Sequence, residues 1–259
     1  MSASRIKTRV NAGILEITFD HPPAHAFDQQ ACRDLDAALT RLNDDPDLRV
    51  GIVTATGDRI FSAGWDLKAV AAGDSGEDFG PHGFMGLDRH DMLKPLICAI
   101  NGLAVGGGFE FALFCQIVLA APHVEFALPE LARGFIPEAG GLWRAQRKLP
   151  PNVASDLLLT GRRMGVDEAH RLGFVNRIVL REDLLAEARK VAEQITSGAP
   201  LAVAALLEAT RATEALTDQA AFQTILAGLP ARDRMRASDD FNEGPRAFAE
   251  KRAPRWTGK

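Results

Sequence analysis

Tyrosine is absent from the 259 residues. No scheme with a phenol as acid, base or oxyanion donor applies, which excludes the Tyr-Lys short-chain dehydrogenases. Cysteine is scarce: Cys32, Cys98 and Cys115 are far apart and form no CxxC. That pattern argues against a disulfide set or zinc site and predicts buried free thiols in a reducing, cytoplasmic setting. No stretch reaches the roughly 18 apolar residues of a spanning helix. The opening MSASRIKTRVNAG carries no apolar signal core. Basic charge is not in excess: Lys plus Arg is 30 against 34 Asp plus Glu, a formal charge of −4. No global pull toward nucleic acid or an anionic membrane is expected, although a local basic pocket could hold an anionic ligand. The six histidines show no metal-ligand spacing and no GxSxG occurs, so neither a metal nor a nucleophilic triad is expected.

What is present reads as a soluble α/β chain, 46% apolar and 25% charged. Arg5 to Val10 and Gly13 to Phe19 flank an Asn-Ala-Gly turn, a hairpin signal. Asp28 to Leu42 repeats apolar residues at Ala31, Leu35, Ala38, Leu39 and Leu42, a helical spacing. LRVGIVT (48–54) and PLICAI (95–100) are strands without a polar face, as in a sheet covered on both sides. Gln116 to Ala120, Val124 to Leu128 and Phe174 to Leu180 are further strands. Ala71 to Gly86, rich in Gly and Asp, is expected to be a long mobile loop or lid. After Gly140 the pattern turns helical, over 142–149, 151–159, 167–172, 182–196 and 201–215. A core over 1–199 and a helical region over 200–259 are predicted, with no sharp linker.

Two loops could carry chemistry. FSAGWDLK (61–68) follows a strand, and its small residues let backbone N–H groups face a ligand. NGLAVGGGFE (101–110) places three glycines before a helix, whose first N–H groups favour negative charge. Convergence of the two on one oxygen would make an oxyanion hole; the plainer reading is that glycines permit close packing. The third glycine of a GxGxxG falls on Phe111, and no Gly-Lys-Ser follows, so neither nucleotide fingerprint applies. Glu110 lies one turn into an apolar helix and Glu130 follows an apolar strand. Desolvation at either place raises a carboxyl pKa and suits acid–base work. A dipole contact for Glu110 and a surface turn for Glu130 are the plainer readings. His25 is loop-borne and could touch a ligand.

FSAGWDLK, KPLICAINGLAVGGGFEFAL and FALPELARGFIPEAGG, in this order and spacing, resemble the crotonase (enoyl-CoA hydratase/isomerase) superfamily. The Trp of the first motif, DFGPHGFMGL, LPPNVASDLLLTGRRMG and the ending GPRAFAEKRAPRW resemble its carnitinyl-CoA dehydratase branch. The resemblance implies a spiral of ββα units with a C-terminal helical trimerisation region, assembling as a trimer or dimer of trimers. It implies oxyanion N–H groups on Trp65 and Gly107, and catalytic carboxylates on Glu110 and Glu130. It implies CoA contacts at Ala24, His25, Ala26, Ala63, Asp66, Leu67 and Lys68. Phe248 and Lys251 match residues that reach a CoA, often that of a neighbouring subunit. CoA is then part of the substrate, and no separate cofactor is expected.

Two positions depart from the common pattern. Glu138 stands where many hydratases have Gly. It could attract a trimethylammonium group, serve the dipole of the following helix, or act as a nucleophile as in a related dehalogenase, which the intact glutamate pair argues against. Gln116 replaces an Asp that looks structural in the family. The implied reaction is reversible hydration at Cβ of an acyl-CoA, with carnitinyl-CoA to crotonobetainyl-CoA the main reading. A short-chain enoyl-CoA hydratase or isomerase is the alternative. Phe84 and Trp143 are candidates to face a quaternary ammonium. RNA binding and a silent CoA-binding subunit are the readings from other classes; the acidic chain disfavours the first and the intact glutamates the second.

Overall fold

The computed structural model describes residues 4–74, 76 and 78–259. The chain divides into two units, Met1–His90 with Leu96–Ala192, and Asp91–Pro95 with Glu193–Lys259.

The first unit holds two sheets. Strands β1 (Ile6–Asn11), β2 (Ile14–Phe19), β3 (Val50–Ala55), β5 (Leu96–Ile100), β7 (Ile117–Ala120) and β10 (Arg177–Ile178) form one, in the order β1-β2-β3-β5-β7-β10. The β1–β2 hairpin is antiparallel and the remaining pairs are parallel. The second sheet runs β4 (Ile60–Ser62), β6 (Leu103–Val105), β8 (Glu125–Ala127) and β9 (Met164–Gly165). From β3 to β8 successive strands alternate between the sheets, so the chain winds as a spiral. All five residues of β5 are buried, which is why its sequence shows no polar face.

Helices close the turns. Helix α1 (Gln29–Asp44) starts at Asp28, whose carboxylate accepts the Ala31 N–H at 2.9 Å. Its predicted stripe, Ala31, Leu35, Ala38, Leu39 and Leu42, is buried. Short α2 (Leu67–Ala71) and α3 (Gly107–Phe114) follow the two glycine-bearing motifs. Then come α4 (Gly141–Lys148), α5 (Pro151–Thr160), α6 (Val166–Arg171) and α7 (Leu184–Thr196), which contains the boundary between the units. Phe19 packs against Phe27, Phe61 and Phe111 at 5.0–5.5 Å between ring centres. That cluster ties α3 and the strand before the first motif to the main sheet. Gln116 accepts the Leu96 N–H at 2.9 Å and so links the starts of β5 and β7.

Two sequence expectations change. The strand expected over 174–180 contracts to Arg177–Ile178. Phe174 instead packs edge-on against Phe109 and Phe126. The segment expected to be a mobile lid is pinned to α1, Ser75 and Glu77 of it lying outside the described residues. Gln29 donates to Asp74 at 2.6 Å, Arg33 pairs with Asp78 at 2.9 Å, and His82 meets Asp36 at 2.7 Å. The His82 ring stacks on His90, 3.8 Å away.

The second unit is helical: α8 (Pro200–Thr213), α9 (Asp218–Ala227), α10 (Pro230–Arg236) and α11 (Asp239–Ala249). Glu208 of α8 accepts the Ala231 N–H at 2.7 Å. The buried Asp240 accepts N–H groups of Thr257 and Gly258, which fastens the C-terminal segment. Among the described residues, no helix is long and apolar enough to cross a membrane.

Candidate active site

The two glycine motifs meet. A Cβ on Gly64, where φ is +77°, would lie 2.5 Å from the backbone N of Gly107. Only glycine permits both that φ and that approach. Trp65 follows Gly64 immediately. Its flanks are tied to the loop at Phe27, through Phe27 N–H to the Gly64 carbonyl (2.8 Å) and Asp66 N–H to the Phe27 carbonyl (2.9 Å). Among the described residues, no hydrogen bond of the fold uses the N–H of Trp65 or Gly107. Gly107 is the first residue of α3, where an N–H has no partner inside the helix. Both donors border a cavity of about 750 Å³.

Glu110 and Glu130 border the same cavity. Glu110 is 4% exposed. Its Oε1 accepts the Gly141 N–H at the start of α4, 2.9 Å away. Burial pushes its carboxyl up to about 7, opposed by the Gly141 N–H and reinforced by the charge of Glu130. Glu130 opens a 3-10 turn, Glu130–Arg133, directly after the strand and Pro129. Its Oε1 sits over Gly106, where an added Cβ would be 3.0 Å away. Its Oε2 is buried with no hydrogen-bond donor among the described residues. Burial raises this carboxyl as well, against its own backbone N–H and Arg133. The site therefore offers two donors for a developing negative charge and two proton carriers of raised pKa, Glu110 at about 7.

Ala24, Ala26, Ala63, Asp66, Leu67 and Lys68 line the same cavity. Asp66 also caps α2, accepting the N–H groups of Lys68 and Ala69. Phe84 and Glu138 line it too. A Cβ on Gly107 would meet the Phe84 ring at 2.5 Å, so the ring lies directly against the oxyanion loop. Phe248, on α11 of the second unit, is 88% exposed, and Lys251 follows that helix, exposed.

Two expected site residues turn elsewhere. The His25 ring is not in the cavity wall: it is 3% exposed, accepts the His21 N–H at Nδ1 and meets the Thr56 carbonyl at Nε2, both at 3.0 Å. It braces the 21–26 loop, and burial pushes its pKa down. Trp143 is also outside the cavity, 38% exposed and over the Arg144 guanidinium. Gly141 and Ala145 face inward on α4, so a residue two places from each points out.

Aromatic groups missed by the sequence reading fill the wall. Phe79 and Phe135 line the cavity together with Trp65, whose expected role in the site is that of its backbone N–H. Two phenylalanines in otherwise polar or Gly-rich loops were the available signal.

The enoyl-CoA hydratase/isomerase family model matches residues 9–259. The chain belongs to the enoyl-CoA hydratase/isomerase family. It is 46% identical to a carnitinyl-CoA dehydratase of Salmonella typhi and 48% identical to one of Salmonella arizonae, covering 100% of both chains in each case. Among solved structures, enoyl-CoA hydratases of Mycobacterium tuberculosis and Mycobacterium marinum superpose with TM-scores of 0.90, at 35% and 36% identity. Each comparison covers 99% of this chain and 100% of the other. The alternating two-sheet spiral is thus the crotonase fold, and the chain is an enzyme of hydro-lyase type.

Proposed function

We propose that the protein catalyses reversible addition of water at Cβ of an acyl-CoA thioester, with carnitinyl-CoA and crotonobetainyl-CoA as the substrate pair. The observation that carries the reading is the meeting, in one cavity, of two unused backbone N–H groups with the buried Glu110 and half-buried Glu130 carboxyls, both of raised pKa. In the hydration direction, one glutamate takes a proton from water as its oxygen bonds Cβ. The π electrons move onto the thioester, whose oxygen is held as an enolate by the Trp65 and Gly107 N–H groups. The other glutamate delivers a proton to Cα. One such donor contributes about 10²–10³ in rate, and each proton transfer about 10²–10⁴.

Ala24, Ala26, Ala63, Asp66, Leu67 and Lys68 form the CoA side of the site, Lys68 as a phosphate partner. Phe248 and Lys251 complete the CoA contacts from a neighbouring subunit of a trimer or dimer of trimers. Exposed Leu206, Phe222, Leu226 and Phe241 on the helices of the second unit support such an assembly. The buried thiols suit a cytoplasmic setting.

The test is hydration of crotonobetainyl-CoA and crotonyl-CoA by the purified protein, followed through loss of the conjugated enoyl-thioester absorbance. Crotonobetainyl-CoA is expected to be the better substrate. Much faster hydration of crotonyl-CoA would overturn the assignment of the acyl group. Retained turnover in both Glu110→Gln and Glu130→Gln would overturn the acid–base scheme.

A further inference from the structure

Four aromatic rings face the cavity from separate parts of the chain. Trp65 comes from the loop before α2, Phe79 from the segment pinned to α1, Phe84 from a 3-10 turn, and Phe135 from the loop before α4. Trp65 meets Phe79 at 6.0 Å and 80°, and Phe135 at 5.8 Å and 65°; Phe79 meets Phe84 at 5.1 Å and 72°. These near-perpendicular contacts turn the ring planes in different directions, as in the walls of a box rather than a flat stack.

The rest of the lining narrows the ligand. Among the described residues it contains no Ser, Thr, Asn, Gln or Tyr; its neutral polar side-chain groups are the His21 imidazole, whose Nδ1 meets the Ala26 carbonyl at 3.2 Å, and the Trp65 indole N–H, buried without a partner among the described residues. Among the described residues it carries four carboxyl groups, Asp66, Glu110, Glu130 and Glu138, against Lys68 and Arg133. Arg133 already donates to the Pro129 carbonyl at 3.1 Å. A primary ammonium would hydrogen-bond those carboxylates and gains little from the ring faces. A quaternary ammonium has no N–H and spreads its charge over methyl groups, the form that ring faces attract.

We infer that Trp65, Phe79 and Phe135 form an aromatic cage for a quaternary ammonium on the acyl chain, with Glu138 as its counter-charge and Phe84 closing the side nearest the oxyanion loop. The inference rests on the reading of this cavity as an acyl-CoA site. It assigns recognition of the acyl end to the Trp65 side chain, a role separate from that of the Trp65 backbone N–H.

The test compares ligands of equal shape and different charge. One pair is the 4-trimethylammonio-but-2-enoyl thioester of CoA and its neutral isostere, 5,5-dimethylhex-2-enoyl-CoA, as substrates. The other is their saturated counterparts, as ligands in isothermal titration calorimetry. A merely apolar pocket prefers the tert-butyl compound, because the cation loses more hydration on burial. The cage predicts the reverse, a preference for the cation of about tenfold or more, equivalent to about 1.4 kcal/mol. Phe79→Leu, Phe135→Leu and Glu138→Gln should each lower that ratio by about threefold or more. Equal or tighter binding of the neutral ligand overturns the cage, and so do ratios unchanged in all three variants. If neither thioester is hydrated and the cation still binds tenfold tighter, the cage stands and the hydration reading fails.

Discussion

Glu110→Gln should stabilise the protein while removing its activity, and the gain should depend on pH. The Glu110 carboxyl titrates at about 7 in the folded protein against an ordinary 4.5. Below pH 4.5 it is protonated in both folded and unfolded chains and contributes no pH dependence. Between 4.5 and 7 the unfolded chain has released this proton and the folded chain still holds it. Stability then falls as pH rises, by ~1.36 kcal/mol per pH unit. Above 7 the loss is complete at about 3 kcal/mol. Glutamine keeps an oxygen for the Gly141 N–H and has no proton to lose. The stability difference between Glu110→Gln and the parent should therefore grow from pH 4.5 to 7 and level off above it. Urea unfolding at one protein concentration, followed by tryptophan fluorescence from pH 4.5 to 8.5, reads that difference. Parallel stability curves for the two proteins would refute a desolvated Glu110. The same titration should give kcat/KM an inflection near pH 7.

Other perturbations separate site geometry from packing. Gly64→Ala puts a methyl group onto the Gly107 nitrogen at a φ of +77°; a rate loss of about 10²–10³ is expected from the displaced donors, and an unaltered kcat would show that the loops do not jointly hold the oxygen. Arg189→Met strands the buried Glu16, which Arg189 contacts at 2.6 and 2.9 Å; a loss of about 1–3 kcal/mol in urea unfolding is expected, recovered in part by adding Glu16→Gln, and no loss would count against the pairing. Asp36→Ala removes the carboxylate that holds His82; limited proteolysis should then cut within residues 72–90 faster than in the parent, and equal rates would show that this contact does not pin the segment.

The sequence by itself determined the elements whose signal repeats along the chain. The buried stripe of α1, its Asp28 cap, the apolar β3 and β5 and the helices after Gly140 are all legible, because periodicity over several residues reports which face is covered. The same local logic singled out Glu110 and Glu130 as carboxyls in apolar settings, and the lack of tyrosine already left proton transfer to other groups. Only the tertiary structure decided what faces what. Strands of two or three residues, such as β4, β6 and β9, are too short to show a period, yet they build the sheet that carries the first motif and β8, the strand before Glu130. Gly64 and Gly107, 43 positions apart, become neighbours through that sheet. Side chains in irregular segments take their direction from distant contacts. Phe79 and Phe135 therefore turn into the cavity, while His25 is drawn to Thr56 and Trp143 falls on the outer side of α4.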